Sequence, residues 1–304
     1  KDEKKVWDRF IDEARNSTFL FKRDYMDYHS DRFTDHSLII QYKNQTAAVF
    51  CANQVEDKIF SHMGLTYGGL IYNQNITTSL ALKTFELILE YYAEHNIKSI
   101  LYKCVPHIYH KRASEEDLFC LFQNNATLYA RGPSSVIDFK YTKQLPGKKG
   151  NGARKASRLG LSFSQVEDPG RIIQMVDENL KSRYGINSVH NIEEMRLLSK
   201  SFPNNIEIFE IKNSLEKIIG GAIVYLANSV AHLQYSVINS EGRPLRGMDL
   251  LISELFKRYS KTFSYFDFGI SSEKNGRILN QSLISQKEDY AATTINYDQY
   301  LIKI

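Results

Sequence analysis

The chain has 304 residues, 42% hydrophobic and 24% charged, which is ordinary for a globular protein and long enough to build two cores. Its formal charge of +4 does not by itself point to nucleic acid, and no apolar run reaches the roughly 18 residues that a membrane-spanning helix needs. Cys51, Cys104 and Cys120 have no metal-ligand spacing and read as buried thiols of a reducing compartment; no signal peptide is visible, so a cytoplasmic location is expected.

In chain order, the apolar spacing predicts a short amphipathic helix over 7–14 and a second helical stretch over 24–33. Apolar runs at 37–44 and 46–53 predict a strand pair turning at Asn44-Gln45. A loop then leads to a short strand at 70–72 and a long helix over 76–95. Leu80, Phe85, Ile88 and Tyr92 give that helix a wide buried face. A strand over 99–105 precedes a helix starting at Ser114, where Ser114 and Asp117 have capping-box spacing. Strands over 126–132 and 135–139 close this half.

The segment 140–160 carries Pro146, Gly147, Gly150 and Gly152 and seven cations, with no acid between Phe139 and Val166. It reads either as a solvated linker into a basic helix or as a positive wall for an anionic ligand. It also marks the expected boundary between a domain over 1–145 and one over 146–304.

The second half predicts strands at 206–213, 218–228 and 230–239, a basic Gly turn at 241–247, a helix over 248–260 and a strand at 264–269. A further helix over 274–287 and a last strand over 291–304 complete it. This order repeats that of the first half, so two similar α/β domains are expected. The turn at Arg243, Arg246 and Gly247 opens a helix, whose free N–H groups and positive dipole end suit an anionic donor. In the strand 230–239, alternation sends His232, Gln234 and Ser236 to one face and Leu233 and Tyr235 to the other. That polar face meets either satisfied partners or a substrate. Asp267, between Phe266 and Phe268, requires a partner, whether His232, an incoming ammonium or the loop 269–271. His107 and His110 have H-x-x-H spacing without a third ligand, and no metal site is expected.

Several short pieces together support a resemblance. They are Tyr67-Gly68-Gly69, the run 154–160, Gly220-Gly221, His232 to Tyr235, Gly247 to Leu250, Phe266 to Gly269, Ser271, Gly276, Asn280 and Lys287-Glu288. The C-terminal half resembles the acetyltransferase fold of the GNAT superfamily. The whole chain resembles the tandem-GNAT acyltransferases related to the Fem peptidyltransferases of cell-wall synthesis. The resemblance implies mixed α/β sheets in two tandem GNAT-like domains, in a bacterial cytoplasmic enzyme that moves an acyl or aminoacyl group onto an amine. It implies acetyl-CoA or another acyl-CoA as co-substrate, with aminoacyl-tRNA as the alternative donor. The acceptor would be an amine of a sugar, glycan or cell-envelope precursor; a non-catalytic binding protein on the same fold is the rival. It implies catalytic roles for His232, Asp267, Ser271 and Lys287, donor contacts from Gln234, Tyr235, Arg243, Arg246, Gly247 and Asn280, and acceptor contacts from Tyr67, Arg154 and Arg158. The chain departs from the family in two places: Arg246 stands where the pyrophosphate loop has its first Gly, and Gln286 where tRNA-dependent relatives carry an aromatic residue.

Overall fold

A computed structural model describes residues 2–304. They form two compact units. The first runs up to Pro133 and includes Ser272–Leu279 and Ile295–Ile304; the second is Ser134–Ser271 with Asn280–Thr294. This division is discontinuous, where the sequence suggests a single cut between 145 and 146.

Helix α1 (Asp2–Glu13) buries Trp7, Phe10 and Ile11 on one stripe. The helix expected over 24–33 is shorter: α2 (Arg23–Met26) passes into a single tight turn at Asp27–His29. The Arg23 guanidinium is bound by Asp27 and Asp35 there, and its N–H by Asp8. Strands β1 (Thr34–Asp35), β2 (Leu38–Tyr42) and β3 (Gln45–Cys51) follow. The β2–β3 hairpin turns at Lys43-Asn44, one residue earlier than expected, because both adopt the positive φ of a tight hairpin turn. Strands β4 (Asn53–Val55), β5 (Lys58–Phe60) and β6 (Gly69–Tyr72) lead to α3 (Thr78–Glu94), whose start is capped by Thr77 Oγ1 accepting the Leu80 N–H at 3.3 Å.

After β7 (Ser99–Lys103) comes α4 (Glu116–Gln123), without the expected capping box. Ser114 is taken by Arg15, whose Nε–H donates to its Oγ at 3.0 Å, and Asp117 accepts from the Tyr102 hydroxyl at 2.8 Å. Buried long-range partners win over the local cap. The two strands expected to close the half are one strand, β8 (Thr127–Asp138).

The chain continues through α5 (Gly147–Arg158), β9 (Ser162–Val166), α6 (Gly170–Tyr184), α7 (Ile192–Ser201), β10 (Ile206–Lys212), β11 (Ile218–Ala227), β12 (Val230–Ile238), α8 (Gly247–Tyr259) and β13 (Tyr265–Ile270). The helix expected over 274–287 is half hairpin: β14 (Ser272–Glu273) and β15 (Ile278–Leu279) turn through Lys274, Asn275 and Gly276, all at positive φ, before α9 (Gln281–Glu288) and β16 (Thr293–Lys303).

In the first unit β4, β5, β7 and β16 pair in that order, with β5 and β7 parallel, and β2, β3 and β6 form a second, antiparallel sheet. In the second unit the order is β8, β13, β12, β11, β10, β9, with only β12 and β13 parallel. Helix α8 packs its buried Leu250, Leu251, Leu255 and Phe256 into a core with Phe209, Val224 and Leu233 on one face of that sheet. The strand that closes the N-terminal half in sequence thus ends, from Ser134 on, in the second unit, and the last strand of the chain ends in the first.

Candidate active site

In the second unit β12 and β13 pair at three positions only: Val230 with Tyr265, Ala231 with Phe266, and His232 with Asp267. The ladder then stops, and the strands frame a cavity of about 320 Å³. Leu233, Met248, Ile252, Phe268 and Leu283 supply apolar walls; Asn179, Gln234, Ser236 and Gln286 supply neutral polar ones; Lys287 is the single charged side chain among them. Two irregularities accompany the opening. The register of β13 against β8 shifts between Asp267 and Ile270. On the other side Val224 pairs with Leu233 but Ile223 with Tyr235, so Gln234 is the extra residue of a bulge. The bulge corrects the expected alternation. One inserted residue reverses the phase, so that Tyr235 shares the face of His232, and Ser236 shares that of Leu233.

Asp267 is fully buried and carries several donors. His232 Nδ1 lies 3.0 Å from Oδ2, the Ser134 hydroxyl donates to Oδ1 at 2.5 Å, and the Gly269 N–H donates to the same oxygen at 2.8 Å. Both structural partners weighed from the sequence, the imidazole and the loop, are therefore present together. Gly269 has φ +77, a conformation that lets its N–H turn back to the carboxylate two residues earlier. Lys287, at the end of α9, donates from Nζ to the Gly269 and Ile270 carbonyls at 2.8 and 3.1 Å and to Ser271 Oγ at 2.8 Å. Burial pushes its ammonium down to about 8, opposed by the negative charge of Asp267. His232, Asp267, Ser271 and Lys287 are thus one connected group, next in sequence to the cavity walls Leu233 and Phe268.

The remaining sequence candidates scatter. Gln234 and Tyr235 line the cavity. The Tyr235 hydroxyl is shared with His190 Nδ1 at 2.7 Å, and burial pushes the phenol up to about 12. Asn280 caps α9, its Oδ1 accepting the Leu283 N–H at 3.1 Å. Tyr67 is buried in the first unit, its hydroxyl donating to Thr18 at 3.2 Å and its ring 4.6 Å from that of Tyr109. Arg154 and Arg158 lie exposed on α5, Arg154 donating to Asn151.

The turn before α8 is closed on itself. The N–H of Arg243 donates to Asn239, that of Arg246 to Arg243 and that of Gly247 to Gly242, and Pro244 has none. In the first turn of α8 sits Asp249, 5% exposed. Its carboxylate accepts from the Tyr290 hydroxyl at 2.7 Å and pairs with Arg246 Nε at 3.1 Å, with Lys149 Nζ 3.7 Å away. A Cβ on Gly152 of α5 would stand 2.1 Å from Asp249 Oδ2, so the close approach of α5 needs that glycine. Sequence reasoning missed Ser134 and His190, since nothing local marks which strand or helix each will face; Lys149, one of the seven cations of 140–160, meets Asp249 rather than a ligand. Among the described residues no three His, Cys, Asp or Glu side chains converge as a metal site.

No family profile and no curated protein matches the chain. Solved structures do. FemX has a TM-score of 0.70 at 9% identity, over 97% of this chain and 95% of its own. The C-terminal domain of a protein described as a lysylphosphatidylglycerol synthetase, from Agrobacterium fabrum, has a TM-score of 0.63 at 10% identity, over 98% and 91%. A tandem GNAT protein from the clavulanic acid biosynthesis pathway has 0.51 at 9%, over 90% and 86%. The fold of this chain is the GNAT-type, Fem-like fold.

Proposed function

We propose that the second unit transfers an acyl-type group to an amine at the opening between β12 and β13. The observation that carries this is the pairing of buried Asp267 with half-buried His232 at the end of a splayed parallel ladder, beside a cavity whose one charged wall is Lys287. An amine attacks an acyl carbon only when neutral, so a base must accept its proton. With a proton on Nδ1 donated to Asp267, the imidazole carries its lone pair on Nε2, and Asp267 stabilises the imidazolium formed as the C–N bond closes. The Lys287 ammonium supplies positive charge toward the developing oxyanion. The apolar walls Leu233, Met248, Ile252, Phe268 and Leu283 suit the carbon part of the transferred group, and the neutral polar ones suit its hydrogen-bonding atoms.

The donor turn favours an aminoacyl ester on RNA over acyl-CoA. The N–H groups of Arg243, Arg246 and Gly247 are spent internally, and the Asp249 carboxylate already sits at the positive end of α8, where it competes with a pyrophosphate. Exposed Lys148, Arg154, Lys155 and Arg158 on α5 offer phosphate contacts instead. The CoA reading keeps one argument, that a neighbour of this fold is described with reference to AcCoA. The acceptor is an amine of a sugar, glycan or lipid precursor of the cell envelope, in keeping with the FemX and lysylphosphatidylglycerol synthetase neighbours. Incubation with labelled aminoacyl-tRNA or labelled acetyl-CoA, each with envelope amine precursors, tests the reading. Label transfer from neither donor to any amine would overturn it, and transfer from acetyl-CoA alone would overturn the donor assignment.

A further inference from the structure

The first unit holds a groove that the transfer chemistry does not use. Between α1 and the β2–β3 hairpin lies a hollow of about 720 Å³, adjoined by a second of about 510 Å³, and Gln45, Asn73 and Asn75 wall both. Six carboxamides, Gln41, Asn44, Gln45, Asn73, Gln74 and Asn75, surround the larger hollow. A carboxamide presents an acceptor and two donors in one plane, which matches the paired hydroxyls of a sugar ring. Tyr42, 48% exposed, walls the smaller hollow; Lys43 Nζ stands 5.2 Å from the centre of its ring, and a sugar would stack on the ring face opposite that cation.

The arrangement is held in place from behind. Asn73 Nδ2–H donates to the Thr46 carbonyl at 3.1 Å and its Oδ1 accepts the Asn75 N–H at 3.0 Å, while Gln74 Nε2–H donates to the Glu13 carbonyl at 2.6 Å. The Lys43-Asn44 turn at positive φ fixes the hairpin tip. Among the described residues the side chains of Gln41, Asn44 and Gln45 hold no hydrogen bond, so their donors and acceptors remain for a ligand or water. Four cations and one acid stand among the walls: Arg9, 3.9 Å from Glu13, with Lys5, Lys43 and Lys83. An RNA backbone would call for a denser cation array. Two adjoining hollows with three shared walls hold more than one ring.

We propose that this groove binds a neutral oligosaccharide. The inference stands on the first unit alone and does not require the transfer reading. Calorimetric titration with neutral tetrasaccharides of glucose, mannose and N-acetylglucosamine, with poly(U) and heparin as polyanion controls, tests it. The expected result is saturable binding of at least one tetrasaccharide, insensitive to salt, weakened about tenfold or more by Gln45→Ala with Asn75→Ala and clearly weakened by Tyr42→Ala, with melting temperatures unchanged. Asp267→Asn should bind as the wild type does, so a failed transfer assay and a failed groove remain distinguishable. Binding of no tetrasaccharide, binding indifferent to these substitutions, or salt-sensitive binding of the polyanions in its place would overturn the proposal.

Discussion

Each unit contains a three-residue parallel ladder, and the two end differently. In the first unit β5 pairs with β7 from Lys58 and Ser99 to Phe60 and Leu101, and the chain then seals the gap. The Ser61 N–H donates to the Leu101 carbonyl at 2.9 Å, and the Ser61 hydroxyl accepts the Lys103 N–H at 2.6 Å. Lys103 Nζ gathers the carbonyls of His62, Met63 and Leu65 at 3.1, 3.3 and 2.6 Å. In the second unit the ladder ends at His232 and Asp267, a bulge at Gln234 turns β12 aside, and a cavity remains. Each unit holds a desolvated lysine, half-buried Lys103 in the first and buried Lys287 in the second, and burial pushes both ammonium groups down to about 8. In the first the lysine closes a loop; in the second it stands at an open site. The same local design therefore gives a sealed unit or an open one, according to whether the residues after the ladder fold back into the gap.

The buried carboxylates sharpen the contrast. Asp267 has an imidazole and two further donors, whereas Asp117 in the first unit accepts from the Tyr102 hydroxyl and its neighbour's N–H, and burial pushes it up to about 7. Asp267→Asn is expected to lower single-turnover transfer by about 100-fold or more, as loss of an oriented base does, with donor affinity little changed. Asp117→Asn should leave turnover as it is. If Asp267→Asn lowers only the melting temperature, the open unit is as structural as the sealed one.

Lys103→Met should cost about 1–3 kcal/mol in urea unfolding, because part-buried carbonyls lose a charged donor, with transfer per folded molecule preserved. Lys287→Met should lower both stability and transfer. Equal behaviour of the two variants would erase the distinction drawn between the lysines.

Asp117 gives a pH signature. Its folded value near 7 lies above its ordinary value of 3.8, so its carboxyl contributes stability at low pH that is lost as pH rises through about 7. Asp117→Asn should therefore stabilise the protein most above pH 7, by about 1–3 kcal/mol, with the gain shrinking toward pH 4. Chemical denaturation at several pH values reads this directly, and a gain that grows toward acid would contradict it. The smallest effect is expected at the α8 turn. Titration of CoA should give no heat, and Arg243→Ala should not alter transfer; were CoA to bind there, Arg243→Ala and Arg246→Ala should each weaken it by about 1.5–3 kcal/mol.

Much of this architecture is legible in the sequence where the signal is local. The apolar runs of β10 and β11, the alternation at the start of β12, the basic Gly turn and the amphipathic α8 are local signals that need no distant partner to be read. Asp267 between two phenylalanines announces a buried carboxylate in need of donors whatever the fold. Other features arise only from long-range pairing. A one-residue bulge at Gln234 leaves no mark in an apolar alternation, yet it exchanges Tyr235 and Ser236 between faces. The Asn-Gly turn within 272–279 is outweighed in the sequence by the helical spacing around it. Ser114 spaces like a cap but is claimed by Arg15, and Asn280, read as a donor contact, is spaced like a cap and is one. Strands β8 and β16 read as the ends of their own halves, but their final residues complete the sheets of the other units. Sequence periodicity sets which residues face a core; which strand supplies the neighbouring ladder is decided by hydrogen-bond partners more than a hundred residues away.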